Sequence, residues 1–142
     1  MREYIVIYNV NSRGKNLSKE YLTQLFEKNQ LKAKIFMTRN TSEVENIIEK
    51  YSNDKKYSYC AIGGDGTINS LIDVLLKLGL SKPIVGCLPS GSGSDFLRTF
   101  AIPQDIEKAI VHLKGDTTYL IDTAIVTSSN REKHFVNVLN FG

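Results

Sequence analysis

Two short stretches concentrate residues that can do chemistry. "GGDGT" (63–67) sets three glycines and one acid, Asp65, between an apolar run and a helical pattern. "PSGSGSD" (89–95) repeats the theme with serines and a second acid, Asp95. Glycine permits positive φ and lets a ligand touch the backbone. Where such a loop runs into a helix, the free N–H groups of the first turn and the helix dipole attract an anion. Both stretches are therefore candidate phosphate cradles, with the hydroxyls of Thr67, Ser90, Ser92 and Ser94 as further donors. A bare carboxylate would repel phosphate. Asp65 makes sense there if a divalent cation mediates, since Mg²⁺ bridging carboxylate and phosphate oxygens is the usual arrangement in phosphoryl transfer. The competing reading of Asp65 is a helix N-cap or turn acid. For Asp95 that alternative is equally good, because "SDFLR" also reads as a plain capped helix start.

Such loops need a scaffold. "YIVIYNV" (4–10), "KAKIFM" (32–37), "YSYCAI" (57–62) and "IVGCL" (84–88) read as buried strands. The spacing predicts a helix from Ser18 to Asn29 with Tyr21, Leu22, Leu25 and Phe26 on one face. Ser42 with Glu45 forms a capping box ahead of the stripe Val44, Ile47, Ile48 and Tyr51. Ile68, Leu71, Ile72, Leu75 and Leu76 make the next helix face, closed by Gly79. Pro103 precedes a last helix carrying Ile106, Ala109, Ile110 and Leu113 and ending at Gly115. This alternation predicts a three-layer α/β/α domain, residues 1–116, around an all-parallel sheet. Ligands bind such sheets outside the carboxyl ends of the strands. The loops at Asn9–Lys15, Thr38–Arg39, Gly63–Thr67 and Ser90–Asp95 leave those ends.

After Gly115 the pattern changes. The strand-like runs 117–128 and 133–142, about "SNRE", predict a hairpin that opens a second, β-rich domain over 117–142. Both faces of that hairpin carry apolar residues, which predicts self-association, most simply as a two-fold homodimer.

Composition excludes several classes. The 142 residues carry a net charge of +3 and no basic block, so a nucleic-acid partner is not expected. No apolar run approaches the ~18 residues of a membrane span. The N-terminus reads as a strand, which predicts a cytoplasmic protein. Cys60 and Cys87 sit in apolar runs and read as small buried hydrophobes. His112 and His134 belong to no catalytic constellation and read as surface or satisfied histidines; Arg39 and Arg98 read first as surface cations, with a phosphate-facing role as the alternative.

With these residues in place, "GGDGT" between strand and helix resembles the nucleotide-binding motif of the diacylglycerol kinase and NAD kinase superfamily. "PSGSGSDFLR" (89–98) resembles the second motif of diacylglycerol kinase and related lipid kinases, and "IDTA" and "FVNVLNFG" resemble the first strands of that family's β-sandwich domain. Val10 and Arg13 stand where proline and glycine are usual in the family, Ser94 where asparagine is, and Ala124 where glycine is. The resemblance implies ATP binding by Asn9, Ser12, Thr38, Gly63, Gly64, Asp65, Gly66, Thr67, Gly91 and Ser92. It also implies Asp65 as a catalytic residue, in an Asp65–Asp95–Asp122 network linked to Mg²⁺ through water. The implied activity is transfer of the γ-phosphoryl of ATP to a lipid hydroxyl, such as that of diacylglycerol, by a protein peripheral to the membrane. The general base is expected beyond Gly142. The rival expectations are an NAD kinase-like enzyme with a soluble acceptor and a nucleotide-binding module without chemistry.

Overall fold

In the computed structural model of the chain, β1 (Glu3–Asn9), β2 (Lys32–Thr38), β3 (Tyr57–Ile62) and β4 (Val85–Leu88) form one sheet in the order β2-β1-β3-β4. The structure describes residues 2–11, 16–80, 83–90, 97–98, 102–114, 122–128 and 131–137, the last two stretches by their backbone. All three neighbouring pairs are parallel, as the alternation of elements predicts. The register pairs Asn9 with Thr38, Tyr8 with Ile62, and Ile62 with Leu88. The carboxyl ends of all four strands therefore lie level.

The period of two along β1 distributes its side chains between two cores. Tyr4, Val6 and Tyr8 pack with Leu22, Leu25 and Phe26 of α1 (Lys19–Lys28). Ile5 and Ile7 pack with Val44 and Ile48 of α2 (Thr41–Tyr51) and with Ile68, Leu71 and Leu75 of α3 (Asp65–Lys77). A strand covered on both faces reads as a continuous apolar run. Each large side chain removed from water in this way contributes about 1.5–3 kcal/mol. Cys60 joins the first core and Cys87 the second, both as free, buried thiols.

The helix ends show where local chemistry differs from the expected pattern. The capping box of α2 is not Ser42 with Glu45. Asn40 is the N-cap, and its side chain accepts from the Glu43 N–H at 3.0 Å. The Glu43 carboxylate in turn accepts from the Arg39 N–H at 2.7 Å. Asn is as good an N-cap as Ser, and Asn40 comes two residues after the end of β2, so the helix starts two residues earlier than Ser42 would allow. Gly79 closes α3 as expected, with φ +79°. Its N–H donates to the Leu76 carbonyl and that of Leu80 to the Leu75 carbonyl, which is a Schellman closure. The same pair of bonds ends α1, from Gln30 to Glu27 and from Leu31 to Phe26, with Gln30 at φ 59°.

The last helix is shorter than its stripe predicts. It runs only over Ile106–Ala109 and tightens into a 3₁₀ turn over Ile110–Lys114. The buried Tyr4 hydroxyl donates to the Leu113 carbonyl at 3.0 Å, capturing a group that a longer α-helix would bond internally. Beyond it, β5 (Asp122–Ser128) and β6 (Arg131–Asn137) pair antiparallel, from Asp122↔Asn137 to Ser128↔Arg131. Arg131 and Glu132 are strand residues rather than part of the turn. β6 runs alongside α3. Gly115 and the ends of the expected strands, 117–121 and 138–142, lie outside the described residues.

Candidate functional site

The level strand ends gather the candidate loops at one pole of the sheet. β3 and β4 are tied there by the Gly63 N–H, which donates to the Leu88 carbonyl at 3.0 Å. Gly63 has φ +153°, and a Cβ on it would stand 2.6 Å from the Thr67 hydroxyl oxygen. Its glycine is thus demanded by the turn and by the close approach of Thr67. Gly64 is the N-cap of α3, and Asp65 is the first helical residue. The N-cap reading of Asp65 is therefore wrong. An acid in the first turn still complements the helix dipole, by about 0.3–1 kcal/mol. The Asp65 carboxylate lies near Cys87, whose thiol is pushed up to about 12, first by burial and then by that negative charge. Gly66 differs from Gly63. It is exposed, and a Cβ there would meet nothing within 4 Å.

A cavity of about 270 Å³ opens between the ends of β1 and β2 and the start of α3. Of the expected binding residues, Asn9, Thr38, Gly66 and Thr67 line it together. Gly63, Gly64 and Asp65 form the turn that delivers Gly66 and Thr67 to its wall. Ser12, Gly91, Ser92 and Asp95 lie outside the described residues. Ser90 is buried, at 2% exposure. Ile7, Val44 and Leu71 give the cavity its apolar lining, and Asn40, Thr41 and Ser70 add polar groups that the sequence reading missed. Helical spacing held a signal for Ser70, which follows Thr67 by one turn of α3.

Hydrogen bonds fix the polar side of this cavity. Thr38 is 1% exposed, and its hydroxyl donates to the Tyr8 carbonyl at 3.3 Å. The Asn9 side chain accepts from the Asn11 N–H at 2.9 Å, closing a turn just past β1. The Val10 N–H donates to the Thr38 carbonyl at 2.9 Å, so this turn is stitched to the end of β2. Arg39 lines both this cavity and a more open one of about 670 Å³ bounded by Val10, Met37, Glu43, Asn46 and Ile47. Among the described residues no three His, Cys, Asp or Glu side chains come together as a metal cage. Asp122 heads β5, whose partner strand runs beside α3.

Residues 3–126 match the family model of the diacylglycerol kinase catalytic domain. The chain is 29% identical over 141 residues to a probable lipid kinase YegS-like protein of Enterobacter sp. (strain 638), covering 99% of this chain and 46% of that protein. It is 28% identical over 146 residues to the diacylglycerol kinase of Bacillus subtilis (strain 168), covering 100% of this chain and 46% of the relative. Among solved structures, a diacylglycerol kinase from Bacillus anthracis str. Sterne superposes with a TM-score of 0.62 at 19% identity, covering 94% of this chain and 44% of that one. The chain spans about half the length of the curated relatives it matches.

Proposed function

The chain belongs to the diacylglycerol kinase catalytic domain family, and on that premise we propose that it is the nucleotide-binding part of a lipid kinase. The reaction is transfer of the γ-phosphoryl of ATP to a lipid hydroxyl, diacylglycerol being the model acceptor. One observation carries this reading: Asn9, Thr38, Gly66 and Thr67, from three separate elements, converge on one cavity at the carboxyl pole of a parallel sheet. A nucleobase fits the apolar part of that cavity, and the phosphates lie against the first turn of α3, where backbone N–H groups and the dipole favour them. The Thr38 hydroxyl, its proton committed to Tyr8, offers an acceptor to an amino group of the base. Ser12, Gly91 and Ser92 complete the phosphate contacts in this reading.

In the transfer, the acceptor oxygen forms a bond to the γ-phosphorus and gives up its proton to a base and so to solvent, the bond to the β–γ bridging oxygen breaks, and ADP leaves. The chain's part is positioning and charge neutralisation. Asp65 fits a Mg²⁺ held through water, because it places a hard oxygen donor in the turn that meets the phosphates. Asp95 and Asp122 are the other proposed members. When bound, the cation neutralises phosphate charge. A lipid acceptor makes the protein peripheral to a membrane surface, and no described helix is long and apolar enough to cross one. Pairing of two chains through the β5–β6 hairpin belongs to the same reading.

Calorimetric titration of the purified chain with ATP, with and without Mg²⁺, tests the proposal. Binding with a Kd at or below about millimolar, in the range of ordinary kinase substrates, and strengthened by Mg²⁺, supports it. No heat and no saturation at that concentration overturns it. Radiolabelled γ-phosphoryl transfer to NAD but not to diacylglycerol in micelles, by a form extended to the relatives' length, would replace the lipid reading with the soluble-acceptor one.

A further inference from the structure

The backbone of Arg39 is gripped at both ends by side chains from two different elements. Its N–H donates to Glu43 Oε2, in the first turn of α2, at 2.7 Å. Its carbonyl accepts from Asn11 Nδ2, in the turn after β1, at 3.0 Å. Asn11 is itself held by Asn9, through the bond from its N–H to Asn9 Oδ1. Glu43 is held by Asn40, which accepts from its N–H at 3.0 Å. Asn9, Arg39 and Asn40 all line the 270 Å³ cavity, whereas Asn11 and Glu43 do not. A chain of four side chains thus runs from one wall of the cavity to the other through a single backbone residue. The ladder pairs of β1 and β2 end at Asn9 and Thr38, and beyond them this clasp and the Val10–Thr38 bond tie the two walls together among the described residues.

We infer that Asn11 and Glu43 are positioning residues for the nucleotide: they clamp Arg39 and thereby set the width of the cavity mouth. This rests on the nucleotide-site reading given above. The role needs a donor at residue 11 and an acceptor at residue 43, not a charge at either. Asn11→Ala removes the donor and adds no charge. Glu43→Gln keeps an acceptor, while Glu43→Ala removes it.

Calorimetric ATP titration of the intact chain and its variants tests this, alongside melting curves and the amide resonance of Arg39. Asn11→Ala and Glu43→Ala should each weaken ATP about five- to tenfold, the scale of one hydrogen bond. Glu43→Gln should stay within about twofold of the parent and keep the Arg39 amide shifted downfield. Ile48→Val, on the buried face of α2 and lining neither cavity, supplies a control for stability alone. It should lower the melting temperature and leave ATP affinity unchanged. Equal ATP affinity in the parent and Asn11→Ala overturns the clasp while leaving the nucleotide site standing. Tighter binding by Glu43→Gln also overturns it, by assigning Glu43 a repulsive charge instead. A loss of affinity in Ile48→Val equal to that in Asn11→Ala reduces the effect to generic destabilisation. Failure of the parent to bind ATP removes both the site and its clasp.

Discussion

Gly63 and Gly66 are two residues of one motif held by different forces, and that difference makes the site testable. Gly63 is a requirement of the fold: its φ of +153° and the Thr67 side chain leave no room for a methyl group. Gly66 faces open space in a helical turn, where alanine is the better helix former by about 0.8–1 kcal/mol. Gly66→Ala should therefore raise the melting temperature and abolish ATP binding, whereas Gly63→Ala should lower both. A Gly66→Ala chain that binds ATP like the parent would remove the phosphate from this turn. Asp65→Asn should leave stability within about 1 kcal/mol, the scale of a first-turn charge, while ATP binding loses its response to Mg²⁺. Titrations with and without the cation check this. In the sequence, this motif could be read because glycine and acid types are rare together before a helix. Asn40 and Thr41 could not be read, because a polar residue at a helix start is usually a cap, and the only signal for Ser70 was its place one turn past Thr67. Only the tertiary approach of α2 to α3 makes them cavity wall.

Elements were legible wherever hydrophobic period and punctuation agreed. β3 matches its expected span, and the apolar faces of α1, α2 and α3 are those that the i, i+3, i+4 pattern predicts, with Tyr21, Ile47, Tyr51 and Leu76 only partly buried at their margins. Val74 of α3 escaped because the helix is buried more widely than one stripe, between the sheet and its neighbours. The 3₁₀ turn at Ile110 escaped the pattern, and the bond that holds its end, from the Tyr4 hydroxyl to the Leu113 carbonyl, joins residues 109 positions apart. Nor does sequence announce that Gln30 takes the left-handed position that Gly79 takes after α3. A side chain there costs about 1–2 kcal/mol; glycine removes that strain but gives back roughly 0.5–1 kcal/mol through its freer unfolded chain. Gln30→Gly should raise stability by up to about 1 kcal/mol, read as a shift of the urea midpoint. A fall would mean that Gln30 makes compensating contacts.

At the scale of the whole molecule, the two cores enclose one thiol each. Burial holds the Cys60 thiol well above its ordinary range, with Cys87 adding to the rise, and burial with the nearby Asp65 carboxylate raises Cys87 to about 12. The native state therefore holds these protons when the unfolded chain has released them. Their contribution to stability is complete below the usual thiol value of 9.0 and is lost as pH climbs from there toward about 12. The urea midpoint should fall over that window, and fall less in the Cys60→Ala, Cys87→Ala double variant. Both thiols should resist a disulfide reagent at neutral pH until the chain is unfolded; rapid labelling of the native protein would contradict the enclosed cores.

The strand order carries a consequence for how the protein is made. β1 is synthesised before the other three strands of its sheet, yet it lies inside that sheet, between β2 and β3. A ribosome releasing this chain exposes "YIVIYNV" long before Ile62, the last residue of β3, has emerged. For that interval one edge of an apolar strand is open to any other nascent strand. Chains stalled at residue 56 should therefore bind holdase chaperones and be cut readily by protease. Chains long enough to clear the exit tunnel past Leu88 should become resistant in a single step.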